Sequence, residues 1–369
     1  GKEVMNVKVG IIDADLLEKN RHRMPNLACM KISSYHKQMG DQVELLTDYS
    51  NVQEFGRVYL SKVFTGTRCP EEVLTMEHVK YGGTGFYLDQ APGLPYEVEH
   101  TMPDYSLYAN WLASQGEDGK RSKKFKYYRE YSVGFLTRGC FRQCPFCVNR
   151  NKTASVPASP VTEFYDPKRK KICLLDDNFL ACREWHTLLE QLRETGRPIQ
   201  FRQGLDIRLI TSQKAEELAA CRLDGDLIFA FNNIKDKRVI VEKMKVINNV
   251  FQGSKRVRFY VLTGFDSKGR YDQSFWRQDL LQTFERIRIL MGMRAYPYIM
   301  RYEKYRESPY RGMYVNLSRW CNQPHMFKRM SLRDFCFLAK DGSACRNYLQ
   351  EFERNFPEGR SYLDMKFID

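Results

Sequence analysis

The sequence predicts an α/β protein: a partial (β/α)6 TIM-like barrel, preceded by a small doubly wound α/β domain and followed by an α-rich basic segment. Three observations carry this. Apolar strand-like runs alternate with amphipathic helical stretches six times between residues 132 and 301. A shorter strand–helix–strand–strand pattern, ending in a glycine-rich turn, comes before them. Beyond them, nine Lys or Arg stand against Glu303 and Glu307 between Arg294 and Arg333.

The N-terminal domain is expected over residues 1–90. "VKVGIID" (7–13) is an apolar strand, and "NLACMKISSYHKQMG" (26–40) has helical spacing with Gly40 as its stop. "QVELL" and "RVYLSKVF" add strands, and "VKYGGTGF" (79–86) ends in the glycine turn. Such a sheet places ligands beyond its strand C-termini. The turn is not G-x-G-x-x-G, so it carries no dinucleotide signature. His36 reads as a helix-surface histidine. Residues 91–131 read as a basic linker, with three prolines and the cluster "GKRSKKFKYYR" (119–129). Phe125, Tyr127 and Tyr128 among those cations offer either a stacking surface for bases or a solvated face.

The barrel is expected over 132–301. Its strands are "SVGFLT", "KICLLDD", "IQFRQGLDI", "DLIFAFNNI", "VRFYVLTGF" and "AYPYIMR". Helices lie between them around 185–192, 211–220, 237–249 and 274–291, with apolar residues three and four apart. Six units fall short of the eight that close a barrel, and functional groups belong in the loops after the strands. Residues 302–369 are expected to close the open side. There Arg319, Trp320, Asn322 and His325 are candidates to face substrate, with a plain stabilising lid as the alternative for Trp320.

The net charge of +14 favours polyanionic partners, nucleic acid or nucleotides among them. No apolar run reaches the roughly 20 residues of a membrane span, and no signal-peptide pattern opens the chain. Eleven cysteines scattered through so long a chain fit a reducing compartment better than a disulfide scaffold. The expectation is a cytoplasmic protein. Cys173, in an apolar run, reads as a small buried hydrophobe.

"RGCFRQCPFCVNR" (138–150) places Cys140, Cys144 and Cys147 directly after the first barrel strand. A disulfide uses two cysteines. Structural zinc wants four ligands, usually in two pairs, and no second C-x-x-C or H-x₃₋₅-H occurs. A [4Fe–4S] cluster held by three cysteines keeps one iron open for a substrate or cofactor.

Cys140-x₃-Cys144-x₂-Cys147, with Phe146 before the third cysteine, resembles the signature of the radical S-adenosylmethionine (radical SAM) enzymes. The resemblance covers about residues 132–301. It implies a [4Fe–4S] cluster on the three thiolates, SAM bound at the open iron, and an electron donor of flavodoxin or ferredoxin type. It further implies reductive cleavage of SAM to a 5′-deoxyadenosyl radical that abstracts a hydrogen from substrate. Phe146, Asp177 and Asn178 of "LLDDNFL", and Gln203, Asp206 and Arg208 of "RQGLDIRL", become candidate cofactor-binding residues. Asn232 matches the region that meets the SAM ribose, and Gly264 of "VLTGF" the region that packs on adenine.

The N-terminal unit resembles the cobalamin-binding domain of one radical SAM branch. The D-x-H-x-x-G motif that ligates cobalt is missing, which argues against cobalamin. Only Cys29 and Cys69 lie in that unit, too few for the second cluster of methylthiotransferases. Cys321, Cys336 and Cys345 read as scattered structural cysteines. The expected activity is a radical SAM enzyme acting on a nucleic acid or nucleotide-like anion. The alternatives are a radical SAM modifier of peptides or small molecules, or a non-catalytic nucleic-acid-binding protein with a structural or redox-sensing cluster.

Overall fold

A computed structural model describes residues 6–18, 24–116 and 123–367. The chain forms two compact units, Gly1–Arg202 and Gln203–Asp369. No helix among the described residues is long and apolar enough to cross a membrane.

The first unit opens with four parallel strands, β1 (Lys8–Asp13), β2 (Gln42–Leu45), β3 (Arg57–Ser61) and β4 (Val79–Gly82), in the order β2-β1-β3-β4. β1 is central and buried on both faces, as parallel strands are. Val9 and Ile11 pack with the helix Leu27–Gln38, while Ile12 joins Val58, Leu60 and Val79 in a second core. Asn26 caps that helix by accepting from the Cys29 N–H at 3.1 Å, and its amide reaches Ser61. The glycine turn after β4 serves the chain itself. A Cβ on Gly83 would fall 2.3 Å from the Lys62 carbonyl oxygen, and Gly85 N donates to that oxygen at 2.9 Å.

Residues 91–131 contribute to this core. Leu107, Tyr108, Phe125 and Tyr128 are buried against β1 and its helix. Phe125, Tyr127 and Tyr128 are 5 %, 5 % and 3 % exposed, so these rings are neither a stacking surface nor a solvated face. Burial of aromatic area outweighs the local charge pattern here. Gly119 to Ser122 of that cluster lie outside the described residues. His36 is likewise buried, not on the surface: its ring nitrogens meet Asp41 at 2.6 Å and Tyr59 at 3.0 Å.

The six predicted barrel strands occur as two three-stranded parallel sheets. β5 (Tyr131–Gly134), β8 (Lys171–Leu174) and β9 (Ile199–Phe201) run in the order β5-β8-β9 in the first unit. A short antiparallel pair, β6 (Thr137–Arg138) with β7 (Val156–Pro157), lies between β5 and β8 in sequence. Cys173 on β8 is fully buried. The Arg169 guanidinium donates to the carbonyls of Tyr105, Tyr128 and Tyr131 at 2.8–3.1 Å, tying the former linker to β5.

In the second unit β10 (Leu227–Ala230), β11 (Val257–Thr263) and β12 (Tyr296–Arg301) run in the order β10-β11-β12. The helices Ser212–Ala219, Lys237–Phe251 and Gln273–Gly292 match the predicted stretches to within a few residues. Strand 199–207 stops earlier than the pattern suggests: Gly204 turns at φ +86° and Ile207–Leu209 form a 3-10 turn. Trp320 is wholly buried with its indole donating to Met330 O at 3.0 Å, which makes it a structural anchor. The Asn322 amide pairs with both the N–H and the carbonyl of Ile299, extending the ladder of β12.

Gly134 gives the sharpest packing test. An added Cβ would sit 2.3 Å from the ring of the buried Phe164. Gly134→Ala is expected to cost about 1–3 kcal/mol through overpacking. Gly292→Ala, where a Cβ meets nothing within 4 Å, is expected to leave the unfolding midpoint unchanged or slightly raised. Urea unfolding of the two variants checks both.

Candidate functional site

The cysteine segment is the loop of a small hairpin. β6 and β7 pair Thr137 with Pro157 and Arg138 with Val156, so residues 139–155 are closed at their base. Ala158 N donates to Leu136 O at 2.7 Å and lengthens the clasp. Gly139 takes φ +91°, and a Cβ there would lie 2.3 Å from Ala154 O. Only glycine lets the two ends of the loop approach this closely.

Within the loop, tight turns set the sulfurs. Cys147 N donates to Cys144 O at 2.9 Å, and Arg150 N to Cys147 O at 3.2 Å. Gln143 sits in the left-handed region at φ +51°, an uncommon conformation for a residue with a side chain. Cys140, Cys144 and Cys147 are all half-buried. Phe141, Phe146 and Val148 beside them are 41 %, 36 % and 43 % exposed, giving the loop an apolar outer surface.

The end of β8 holds this loop through three successive side chains. Asp176 is buried and accepts from Leu136 N at 3.0 Å, Thr137 N at 2.8 Å and Thr137 Oγ1 at 2.7 Å. Asp177 accepts from Gly139 N at 2.8 Å. The Asn178 amide donates to Cys140 Sγ at 3.4 Å. The alternation of a strand end aims these groups one after another along the departing chain. Burial pushes the Asp176 carboxyl up to about 7 against the pull of its three donors.

A second tether reaches the loop from the other side. Arg150 grips Asp89 with two hydrogen bonds, at 2.9 and 2.8 Å, and the Asn151 amide also donates to Asp89. The Arg150 guanidinium holds the Asp89 carboxyl below its ordinary range. Arg138, at the loop base, bonds Glu99 at 2.8 Å, and Glu99 also meets Lys31 at 2.9 Å. Asp89, Glu99 and Arg150 carry no local signal in the sequence, because their partners lie 39 to 68 residues away.

The donor set fits an iron–sulfur cluster. Cys140 Sγ accepts from Arg142 N and Asn178 Nδ2, both at 3.4 Å, and Cys147 Sγ accepts from Asn149 N at 3.4 Å. Such N–H donors stabilise thiolate sulfur. Among the described residues no three His, Cys, Asp or Glu side chains converge on a single ion. A cubane binds each thiolate to a different iron, so its ligands need no common point. Burial pushes the Cys147 thiol up while the Asn149 N–H groups pull it down.

The remaining candidates lie in the second unit. Asp206 caps the turn Ile207–Leu209 and binds the Arg208 guanidinium at 2.8 Å; Arg208 also reaches Asp236 at 3.5 Å. Asn232 Oδ1 accepts from Leu262 N at 3.0 Å, bracing β10 to β11. Gly264, at φ +76°, has Tyr305 Cβ 3.3 Å from the position of an added Cβ, and its N–H donates to Asp279 at 2.9 Å. Gln203 opens this unit just after β9. Asp279 also accepts from Tyr314 at 2.7 Å. The buried Arg286 clamps the carbonyls of Phe231 and Leu262 at 2.9 and 3.1 Å.

Asp176→Ala strands three buried donors and is expected to cost about 3 kcal/mol or more, with loss of bound iron after reconstitution. Asp176 also sets a pH signature. Its folded value near 7 exceeds the ordinary carboxylate value of about 4. The folded state therefore binds the extra proton between those values, and this contribution to stability is lost as pH rises through about 7. Wild type is expected to lose more stability than Asp176→Asn between pH 5 and pH 8 in urea titrations.

No protein-family model matches the sequence, and no curated protein sequence matches it. Among solved structures the chain is similar to the cobalamin-dependent S-adenosylmethionine radical enzyme OxsB. With aqua-cobalamin and S-adenosylmethionine bound, that protein shows 11 % identity and a TM-score of 0.47, over 96 % of this chain and 62 % of OxsB. Its apo form gives 13 % and 0.37, and the form with aqua-cobalamin alone 12 % and 0.36, each over 80 % of this chain and 49 % of that one. The chain thus aligns with less than two thirds of OxsB.

Proposed function

We propose that this chain is a radical SAM enzyme in which Cys140, Cys144 and Cys147 hold a [4Fe–4S] cluster. One observation carries the reading: three half-buried sulfurs at the family spacing, on a loop fixed at Gly139 and Cys140 by the side chains that end the neighbouring parallel strand. When bound, the cluster supplies the electron, received from a flavodoxin- or ferredoxin-type donor, for cleavage of the SAM sulfonium.

The chain's own residues orient and shield. Asp177 fixes the first turn of the loop by accepting from Gly139 N, and Asn178 directs an N–H at Cys140. Phe141, Phe146 and Val148 form an apolar rim that keeps water from the sulfurs. In the second unit, Asp206 and Arg208 satisfy one another, while the Asn232 carboxamide oxygen is taken by Leu262 N. This leaves the Asn232 Nδ2 group as its proposed ligand donor. The reading includes no cobalamin, since the cobalt-ligating motif is missing and the glycine turn is fitted to Lys62. The substrate class proposed is a nucleic acid or nucleotide-like anion, supported by the net charge of +14.

Anaerobic reconstitution with iron and sulfide tests the chemistry. About four irons per chain are expected, lost in Cys140→Ala, Cys144→Ala and Cys147→Ala but kept in Cys173→Ala. Added SAM and dithionite are expected to yield 5′-deoxyadenosine. Zinc at these sulfurs would reject the cluster, and a loaded cluster without 5′-deoxyadenosine would favour the structural or redox-sensing alternative. RNA and DNA binding should weaken steeply with salt; salt-independent affinity would remove the anionic substrate.

A further inference from the structure

We infer that the second unit carries a phosphate-binding pocket between two helices, Arg311–Cys321 and Ala344–Asn355. The cavity there has a volume of about 200 Å³ and is lined by Tyr305, Arg306, Arg311, Arg319, Cys345 and Tyr348, among others. A water molecule's share of liquid is about 30 Å³. The cavity therefore has room for a phosphate and the first atoms of its ester.

Charge selects the ligand. Among the described residues, Arg306, Arg311 and Arg319 have no carboxylate partner, while neighbouring cations do. Lys304 meets Glu307 at 2.8 Å, Arg333 meets Glu353 and Asp364 at 2.7 Å, and Arg346 pairs with Asp341. Three unspent guanidiniums around one small cavity match a multiply charged oxyanion better than a carboxylate, which a single fork satisfies.

The helix ends point the same way. Arg311 is the first residue of its helix, whose first turn holds no acid and whose N-cap, Tyr310, makes no side-chain cap bond. A cation is unfavourable at that positive end of the macrodipole, and an anion seated there reverses the sign of both terms. The Ala344–Asn355 helix also lacks an acid in its first turn, and there Ser343 Oγ accepts from Arg346 N at 3.4 Å, so the guanidiniums carry the recognition on that side. The walls are rigid. Tyr348 packs on Gly312, where a Cβ would lie 2.1 Å from the ring, and the Asn316 amide ties to Cys345 O at 3.0 Å.

This inference stands on the second unit alone and does not require the cluster. Its test is titration calorimetry of the full chain, at low ionic strength in chloride, with inorganic phosphate and with adenosine 5′-monophosphate. Alkylation of Cys345 by N-ethylmaleimide, mapped by mass spectrometry, gives a second readout. Both ligands are expected to bind and to slow labelling of Cys345. Tighter binding of the ester assigns the pocket to a substrate-borne phosphate, and equal binding to free phosphate. Arg306→Gln/Arg319→Gln should weaken binding at least about tenfold and abolish protection. Lys340→Gln/Arg354→Gln, with the same loss of charge elsewhere in the unit, should change neither. The inference is overturned if millimolar phosphate gives no heat and no protection in wild type, or if the two double variants lose affinity equally. Wild-type protection decides the matter even where the pocket variant fails to fold.

Discussion

The loop that carries the cysteines hangs on one buried carboxylate. Asp176 ends β8 and accepts three hydrogen bonds from Leu136 and Thr137, where the chain leaves β5. Two backbone N–H groups there have no strand partner to serve them, because the chain is turning out of the sheet. Asp176 supplies the missing acceptors and fixes the direction in which the loop departs. Once that direction is set, Asp177 and Asn178 fall opposite Gly139 and Cys140 without further adjustment. A run of three polar residues at a strand end becomes a bracket of three consecutive contacts.

The parts legible in the sequence are those written in local pattern. Alternating apolar runs mark β1 to β4 and the strands that flank the cysteines, and 3.6-residue spacing marks the helices. Asp177 and Asn178 are readable as site residues because they follow a strand at the position where parallel sheets expose their loops. What local pattern does not encode is pairing between distant residues. The β6–β7 clasp is two residues long on each side, too short for any alternation to register. The grip of Arg150 on Asp89 spans 61 residues, and each residue alone looks like ordinary surface charge. His36 and the rings at 125 and 128 are buried because distant chain covers them, while their neighbours in sequence are charged.

The basic composition divides into cations with different tasks. Arg169 and Arg286 are buried clamps on backbone carbonyls, and their charge never meets solvent. Burial pushes the Arg286 guanidinium down to about 10, with Asp279 opposing the shift. Arg277, Arg288 and Arg333 are matched by Glu358, Glu285, Glu353 and Asp364. Net charge favours anionic partners without locating them; the placement of unmatched guanidiniums locates a site. In the second unit three of these, Arg306, Arg311 and Arg319, line one cavity.

The cysteine loop combines two demands that oppose each other. Within the loop, burial disfavours the thiolate of Cys147 and pushes its thiol up. Its N–H groups at Arg142, Asn149 and Asn178 aim at sulfur, which favours the thiolate. A free thiol uses those donors weakly, whereas a metal-bound thiolate would use them fully, which is what the proposed cluster would supply. The left-handed Gln143 and the tight approach of Gly139 to Ala154 act in the same sense. They fix the loop's shape during folding, and under the proposed function that conformational cost would be met before a ligand binds.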